Sequence, residues 1–256
     1  MAEDICTIVS NVFYKGKLVV AEECKKDSVW MKRRSCTNVD LIGKGNVCLA
    51  SIDAEGTWSH RFHGPIRYKS AEFICQLVSN LLINLDQKDI IVLTPFRAQR
   101  TLIKSFFRNA GLKKVAVSTV HRAQGSERHT VIFDPVMGES PFLQTEEAER
   151  LINVALSRAQ ARLVLVLSTN DRTNSLLNQI ASVTENPPPR NIIPIEHLAS
   201  RSDFPYCAKG KFVQIKNIVG KVVEVIDEGK RFVLQDSKTG KKRTFMTSSI
   251  KEKFGT

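Results

Sequence analysis

The chain has 256 residues, of which 42% are hydrophobic and 25% charged, with a formal net charge of +12 at pH 7. This composition excludes a disordered chain and leaves enough length for one large or two small domains with a proper core. The positive excess favours a polyanionic partner, nucleic acid ahead of a membrane surface. Cys6, Cys24, Cys36, Cys48, Cys75 and Cys207 are widely spaced with no C-x-x-C pair, so they read as reduced core thiols.

In chain order, residues 1–20 read as a short amphipathic helix with Ile5, Ile8, Val9 and Val12 on one face, followed by Phe13-Tyr14-Lys15-Gly16-Lys17-Leu18. Residues 21–46 are polar and basic, with Lys25, Lys26, Lys32, Arg33 and Arg34, and read as a solvated loop. Val47–Asp53 is a predicted strand, and 56–64 a turn-rich connection. His60 and His63 lie three apart without further ligands, so no metal site is expected. Ser70 is expected to cap a helix reaching about Leu85, with Phe73, Ile74, Leu77, Val78, Leu81 and Leu82 as its core stripe. Asp89–Leu93 is the next strand, then a helix over Ala98–Asn109 ended by Gly111.

The strands Val115–Thr119, Thr130–Asp134 and Leu163–Leu167 follow, with helices over Glu146–Gln160 and Thr173–Ala181. Strands apolar on both faces belong to a buried parallel sheet. Polar residues at their carboxyl ends are then expected to line a ligand crevice. Residues 1–184 thus form one α/β domain, with 1–46 as a junction segment. Residues 185–194, containing Pro187-Pro188-Pro189, read as a stiff linker.

Residues 195–256 change period. Phe212–Ile215, Lys221–Ile226, Arg231–Gln235 and Lys242–Phe245 are short strands joined by the turns 227–230 and 236–240. They predict a small basic β-barrel, OB-like or SH3-like, in which 12 Lys/Arg stand against 5 Asp/Glu over 205–256. Phe212, Phe232 and Phe245 are either stacking platforms for a single strand or core. No apolar run approaches the ~18 residues of a membrane span. With no signal-peptide pattern at Met1, a cytoplasmic protein is expected.

Ser118-Thr119-Val120-His121-Arg122-Ala123-Gln124-Gly125-Ser126-Glu127 and Asn153-Val154-Ala155-Leu156-Ser157-Arg158-Ala159 resemble motifs V and VI of superfamily 1 helicases. The likeness is to the 5′-to-3′ group that includes RNA-surveillance and Okazaki-processing helicases. Leu93-Thr94-Pro95-Phe96-Arg97-Ala98-Gln99 looks like motif IV of that group. The helix followed by F-Y-x-G-x-L resembles the phrase that follows a Q-Y-R-M motif at the junction of the two motor domains. Met1 would then be that methionine, and the chain the second, RecA-like motor domain with an appended barrel.

The resemblance implies roles residue by residue. Arg158 would touch the γ-phosphate of ATP, the kind of cation that can contribute ~10³ or more in rate. Glu127 would bind ribose hydroxyls, Gly125 would allow close backbone approach, and Gln124 would couple the nucleotide and nucleic-acid sites. Ser118, Thr119 and His121, with Thr94, Pro95 and Phe96, would hold the backbone of single-stranded DNA or RNA. Arg150 and Arg162 lack such context and read as surface residues.

No G-x-x-x-x-G-K-[ST] loop is present, and apart from the hairpin turn Asp227-Glu228 no D-E pair follows an apolar strand. The family's adenine-stacking tyrosine would precede Met1. ATP with Mg²⁺ would therefore be shared with a first motor domain, and this chain would not hydrolyse it alone. The alternative is a nucleic-acid-binding or scaffold protein that kept the fold and lost the motor.

Overall fold

The computed structural model describes residues 1–122, 127–185, 192–194, 212–215, 218–226, 231–236 and 241–246. They fall in two compact units, Met1–Pro194 and Ile195–Thr256. The first unit begins with helices α1 (Glu3–Phe13), α2 (Glu22–Lys26) and α3 (Ser28–Arg33). Strand β1 (Val47–Ser51), the β2–β3 hairpin (Thr57–Ser59, Gly64–Ile66), α4 (Tyr68–Leu81), β4 (Ile90–Thr94), α5 (Arg97–Asn109) and β5 (Ala116–Thr119) follow. Then come β6 (Arg128–Phe133), α6 (Glu146–Ser157), β7 (Ala159–Leu167), α7 (Ser175–Glu185) and β8 (Ile192–Pro194).

The expected parallel sheet is present, in the order β5-β4-β6-β7-β1-β8, with every neighbouring pair parallel. Alternation along β7 explains its two apolar faces. Leu163, Leu165 and Leu167 join a core with Ile5, Ile8 and Val9 of α1, Leu151, Ile152, Ala155 and Leu156 of α6, and Leu177 and Ile180 of α7. Val164 and Val166, pointing the other way, are equally buried. On that second side α4 packs against α5.

The helix α5 ends as expected, with Gly111 at φ +76 and Leu112 N donating to Phe107 O at 2.8 Å. Ser70, by contrast, is no cap. The helix α4 already starts at Tyr68, and the Ser70 hydroxyl, inside its first turn, donates to Asp134 Oδ2 at 2.7 Å. The helix expected to reach Gln160 stops at Ser157, because Ala159 is already paired with Arg128 in the sheet. The 21–46 segment is not all loop: Asp27 caps α3 by accepting from Val29 N at 2.8 Å and Trp30 N at 3.2 Å.

Arg162 is not a surface residue. It is 1% exposed, and its guanidinium donates to Thr37 O at 2.6 Å and Gly45 O at 3.2 Å, fastening the 34–46 segment to β7. Arg150 is exposed and pairs with Glu146 at 3.3 Å.

A second buried arginine organises the carboxyl ends of the strands. Arg67 is 0% exposed and binds Asp134 Oδ1 and Val166 O at 2.7 and 2.9 Å through Nη2, and Asp171 through Nη1. Gln99 closes the network: Nε2 donates to Asp134 Oδ2 at 2.8 Å and Oε1 accepts from Arg67 N at 2.9 Å. Asp171 also accepts from Gly138 N at 2.9 Å and Ser168 N at 2.8 Å. Burial pushes the Asp134 carboxyl up from its ordinary value against the pull of Arg67. The two carboxylates outweigh burial at Arg67 and hold its guanidinium above its ordinary value.

The Pro-rich residues 186–191 lie outside the described residues, and Ile192–Pro194, within the segment read as linker, pairs with β1. In the second unit, β9 (Phe212–Ile215), β10 (Ile218–Ile226), β11 (Arg231–Asp236) and β12 (Lys242–Met246) form an antiparallel meander. A bulge interrupts β10 between Val222 and Glu224. Phe232 is opposite Phe245 in register, and Phe245 is half-buried. Among the described residues β9 and β12 are the edge strands of this sheet. No helix among the described residues is long and apolar enough to cross a membrane.

Candidate functional site

Two ends of one sheet carry the candidate residues. At the amino ends of β6 and β7 the chain leaves α6 and enters β7 with a single residue between. That residue is Arg158, in αR conformation, with its N donating to Ala155 O at 3.3 Å. A cation there is favoured by the negative end of the α6 dipole. The side chain is half-buried, and its Nε, inaccessible to water, has no hydrogen-bond partner among the described residues. Arg158 O accepts from Arg128 N at 3.0 Å, which joins the two strand ends.

Glu127, one residue before Arg128, thereby lies beside Arg158. It is exposed, and its Oε2 accepts from Gln160 Nε2 at 3.0 Å. Arg128 spends one donor on Glu127 O at 2.9 Å, and its Nε is also buried without a partner among the described residues. Residues 127 and 158 therefore lie at the same end of one sheet. That end is formed by the amino ends of the strands, not the carboxyl ends to which the sheet pattern had assigned the ligand crevice. Gln124 and Gly125 lie outside the described residues.

Two residues that the sequence did not single out support this end. Gln160, directly after the motif that ends in Ala159, holds the Glu127 carboxylate. Tyr14, in the F-Y-x-G-x-L phrase, accepts from Asn153 Nδ2 at 3.1 Å, which ties the segment after α1 to the start of N-V-A-L-S-R-A. Tyr14 belongs to a recognisable phrase and Gln160 directly follows one, but which residues pair is a tertiary fact.

The other six candidates lie at the carboxyl ends of β4 and β5. Thr94 and Pro95 are buried, Phe96 is half-buried, and Phe96 N lies 3.4 Å from Thr94 Oγ1. Thr119 is buried, Ser118 half-buried and His121 exposed. His121 is 3.9 Å from Glu147 and stacks obliquely on Phe142, with 5.7 Å between ring centres. Ser118 also opens into a groove of about 790 Å³ along the edge strand β5. Lys104, Arg108, Lys113, Lys114, Arg122 and Arg128 line it, and no carboxylate does among the described residues. That lining gives the groove a positive field.

A family model described as AAA domain matches residues 1–170. The DNA polymerase alpha-associated DNA helicase A of Schizosaccharomyces pombe is 29% identical over 184 residues, covering 66% of this chain and 27% of that protein. An uncharacterized ATP-dependent helicase of Methanocaldococcus jannaschii is 26% identical over 174 residues, covering 66% of this chain and 26% of its own length. The 3′-5′ exoribonuclease HELZ2 of Homo sapiens is 27% identical over 65% of this chain and 6% of its own. The chain thus spans about a quarter or less of these relatives. The C-terminal domain of a possible DNA helicase from Lactobacillus plantarum WCFS1 matches with a TM-score of 0.41 at 14% identity, over 70% of this chain and 91% of that one.

Proposed function

The chain belongs to the AAA-domain family of the superfamily 1 helicases, and from that premise we propose that residues 1–184 act as the second of two RecA-like motor lobes. In this reading the lobe offers the Arg158 guanidinium to the γ-phosphate and the Glu127 carboxylate to the ribose of a nucleotide gripped mainly by a first lobe. The observation that supports the reading is that residues 127 and 158 lie at the same strand end, joined through the 3.0 Å bond between Arg128 N and Arg158 O. The unpaired buried Nε atoms of Arg158 and Arg128 suit a polyphosphate, since a buried donor without an acceptor costs about 1–3 kcal/mol. ATP with Mg²⁺ would supply the leaving phosphate, and Gln124 and Gly125 would complete the loop against it.

The nucleic-acid track would run over the carboxyl ends of β4 and β5, where Phe96, Ser118 and His121 offer accessible groups. Thr94, Pro95 and Thr119 set the strand ends beneath them. The groove beside β5 supports a single strand of DNA or RNA held by its phosphates. A barrel closed from the second unit's meander would add a further basic surface, and the protein would work in the cytoplasm. The same groove also favours a second reading, a nucleic-acid-binding protein that needs no nucleotide.

The purified chain tests the first reading directly. It is expected to show no ATP turnover above background, with or without single-stranded nucleic acid. Clear turnover would mean the site is complete, and the shared-site reading would fall.

A further inference from the structure

The β2–β3 hairpin has no part in the function proposed above, yet it stands at the same end of the sheet as the nucleic-acid candidates. It is inserted between the carboxyl end of β1 and α4, and both its feet are pinned. Before β2, Gly56 lies so close to the loop after β6 that a Cβ on it would meet Val136 O at 2.3 Å. After β3, Arg67 N donates to Gln99 Oε1 at 2.9 Å and Arg67 O accepts from Gln99 Nε2 at 3.0 Å, inside the first turn of α5. Between the feet, Gly64 sits against the same turn, where an added Cβ would lie 3.1 Å from the Ala98 Cβ. Ala98 is two residues beyond Phe96. The hairpin is therefore fixed at the carboxyl ends of β4 and β6, next to the segment Thr94–Phe96.

Trp58, on β2, is paired in register with Pro65, the neighbour of Gly64, and is 63% exposed. Ser59 Oγ accepts from Phe62 N at 3.3 Å across the turn, in which His60, Arg61 and His63 are exposed. The Arg61 guanidinium carbon lies 5.4 Å from the centre of the Phe62 ring. From Gly56 to Ala71 the chain has no Asp or Glu. An isolated apolar side chain is ordinary on a protein surface. An exposed indole beside an exposed arginine, on a pinned support without acidic residues, is a different feature. A ring face and a positive charge together are what a single strand uses, since any base stacks on the ring and the phosphates meet the cation. Continuity with the Thr94–Phe96 end of the track favours nucleic acid over a protein partner.

We propose that the β2–β3 hairpin is a second contact of this lobe with single-stranded nucleic acid, in which Trp58 stacks on an unpaired base and Arg61 meets a neighbouring phosphate. A base inside a duplex has both faces covered, so this contact favours a single strand. The inference rests on the reading of the carboxyl ends of β4 and β5 as the track.

The chain has two tryptophans, so the full chain carrying Trp30→Phe keeps Trp58 as its sole indole reporter. Titration with oligothymidylate or oligouridylate of about 12 nucleotides, and separately with the same backbone lacking bases, separates stacking from charge. The strand with bases is expected to quench Trp58 emission. The abasic strand should bind about tenfold more weakly and leave the emission unchanged. Trp58→Ala should remove most of that preference for bases, and Trp58→Phe should restore most of it. Arg61→Gln should weaken both strands alike and lower the salt slope of binding by about 0.7. If the unaltered chain binds the strand with bases but Trp58→Ala keeps the full preference for it, the hairpin inference fails and the track reading stands. If the unaltered chain binds none of these strands, both fail.

Discussion

Arg67 shows what a single buried residue can hold. Its guanidinium pairs with two fully buried carboxylates, so removing it strands Asp134 and Asp171 together. Breaking one side of a buried pair costs roughly 3–5 kcal/mol. Arg67→Met should therefore lower stability by about that amount in urea denaturation, and a loss below ~1 kcal/mol would refute the keystone role. His129 gives a prediction of the opposite kind. Burial, helped by the Arg162 charge, holds its imidazole below its ordinary value, so the unfolded chain takes up the proton first. The contribution of neutral His129 is complete above about pH 6.5 and fades as pH falls through the folded value. The denaturation midpoint should thus drop on acidification, and His129→Gln should flatten that part of the profile; an unchanged slope would show that other groups set it. Residues of one type could not be sorted by sequence alone. Arg150, Arg158 and Arg162 lie within thirteen positions on similar ground. The acceptors that bury Arg162 are carbonyls of Thr37, Gly43 and Gly45, more than a hundred residues away.

Between elements, the site depends on abutments with no slack. The helix α6 passes its chain to β7 through Arg158 alone, so the position of the guanidinium is fixed by the strand that follows it. The loop after β6 is as tight. A Cβ on Gly138 would lie 2.5 Å from the Cα and O of Asp171, which is backbone and cannot give way. Gly111 has open space around its missing Cβ but sits at φ +76. Two alanine substitutions therefore separate two costs. Gly111→Ala should cost about 1 kcal/mol for its backbone angle. Gly138→Ala should cost more, about 2–3 kcal/mol, for steric overlap beside the Arg67 network. Equal losses in thermal and chemical denaturation would contradict this ranking. Long periodic elements were legible from the sequence because apolar spacing alone decides them: β1, α4, β4, α5 and β7 lie close to their expected places. The β2–β3 hairpin, α2 and α3 were not. Short elements owe their form to local caps such as Asp27 and to pairing across a turn, and neither leaves a periodic trace.

At the scale of the molecule, the three helicase-like phrases lie at two different ends of one sheet. The phrases carry residue identity, and strand direction decides which end each occupies. That is why the identities of Glu127 and Arg158 could be singled out from sequence while their position at the amino ends of β6 and β7 could not. The groove beside β5 was foreshadowed only by net charge, since its cations come from α5, the turn after it, the turn after β5 and β6. The proposed division of labour predicts a nucleotide footprint confined to one end of the sheet. Backbone amide NMR of the full chain, titrated with MgATP and with AMP, reads that footprint directly. The expected result is perturbation of Glu127, Arg128, Arg158 and Gln160 by MgATP and much smaller shifts with AMP. Shifts confined to the carboxyl ends of β4 and β5, or identical shifts with the two nucleotides, would contradict it.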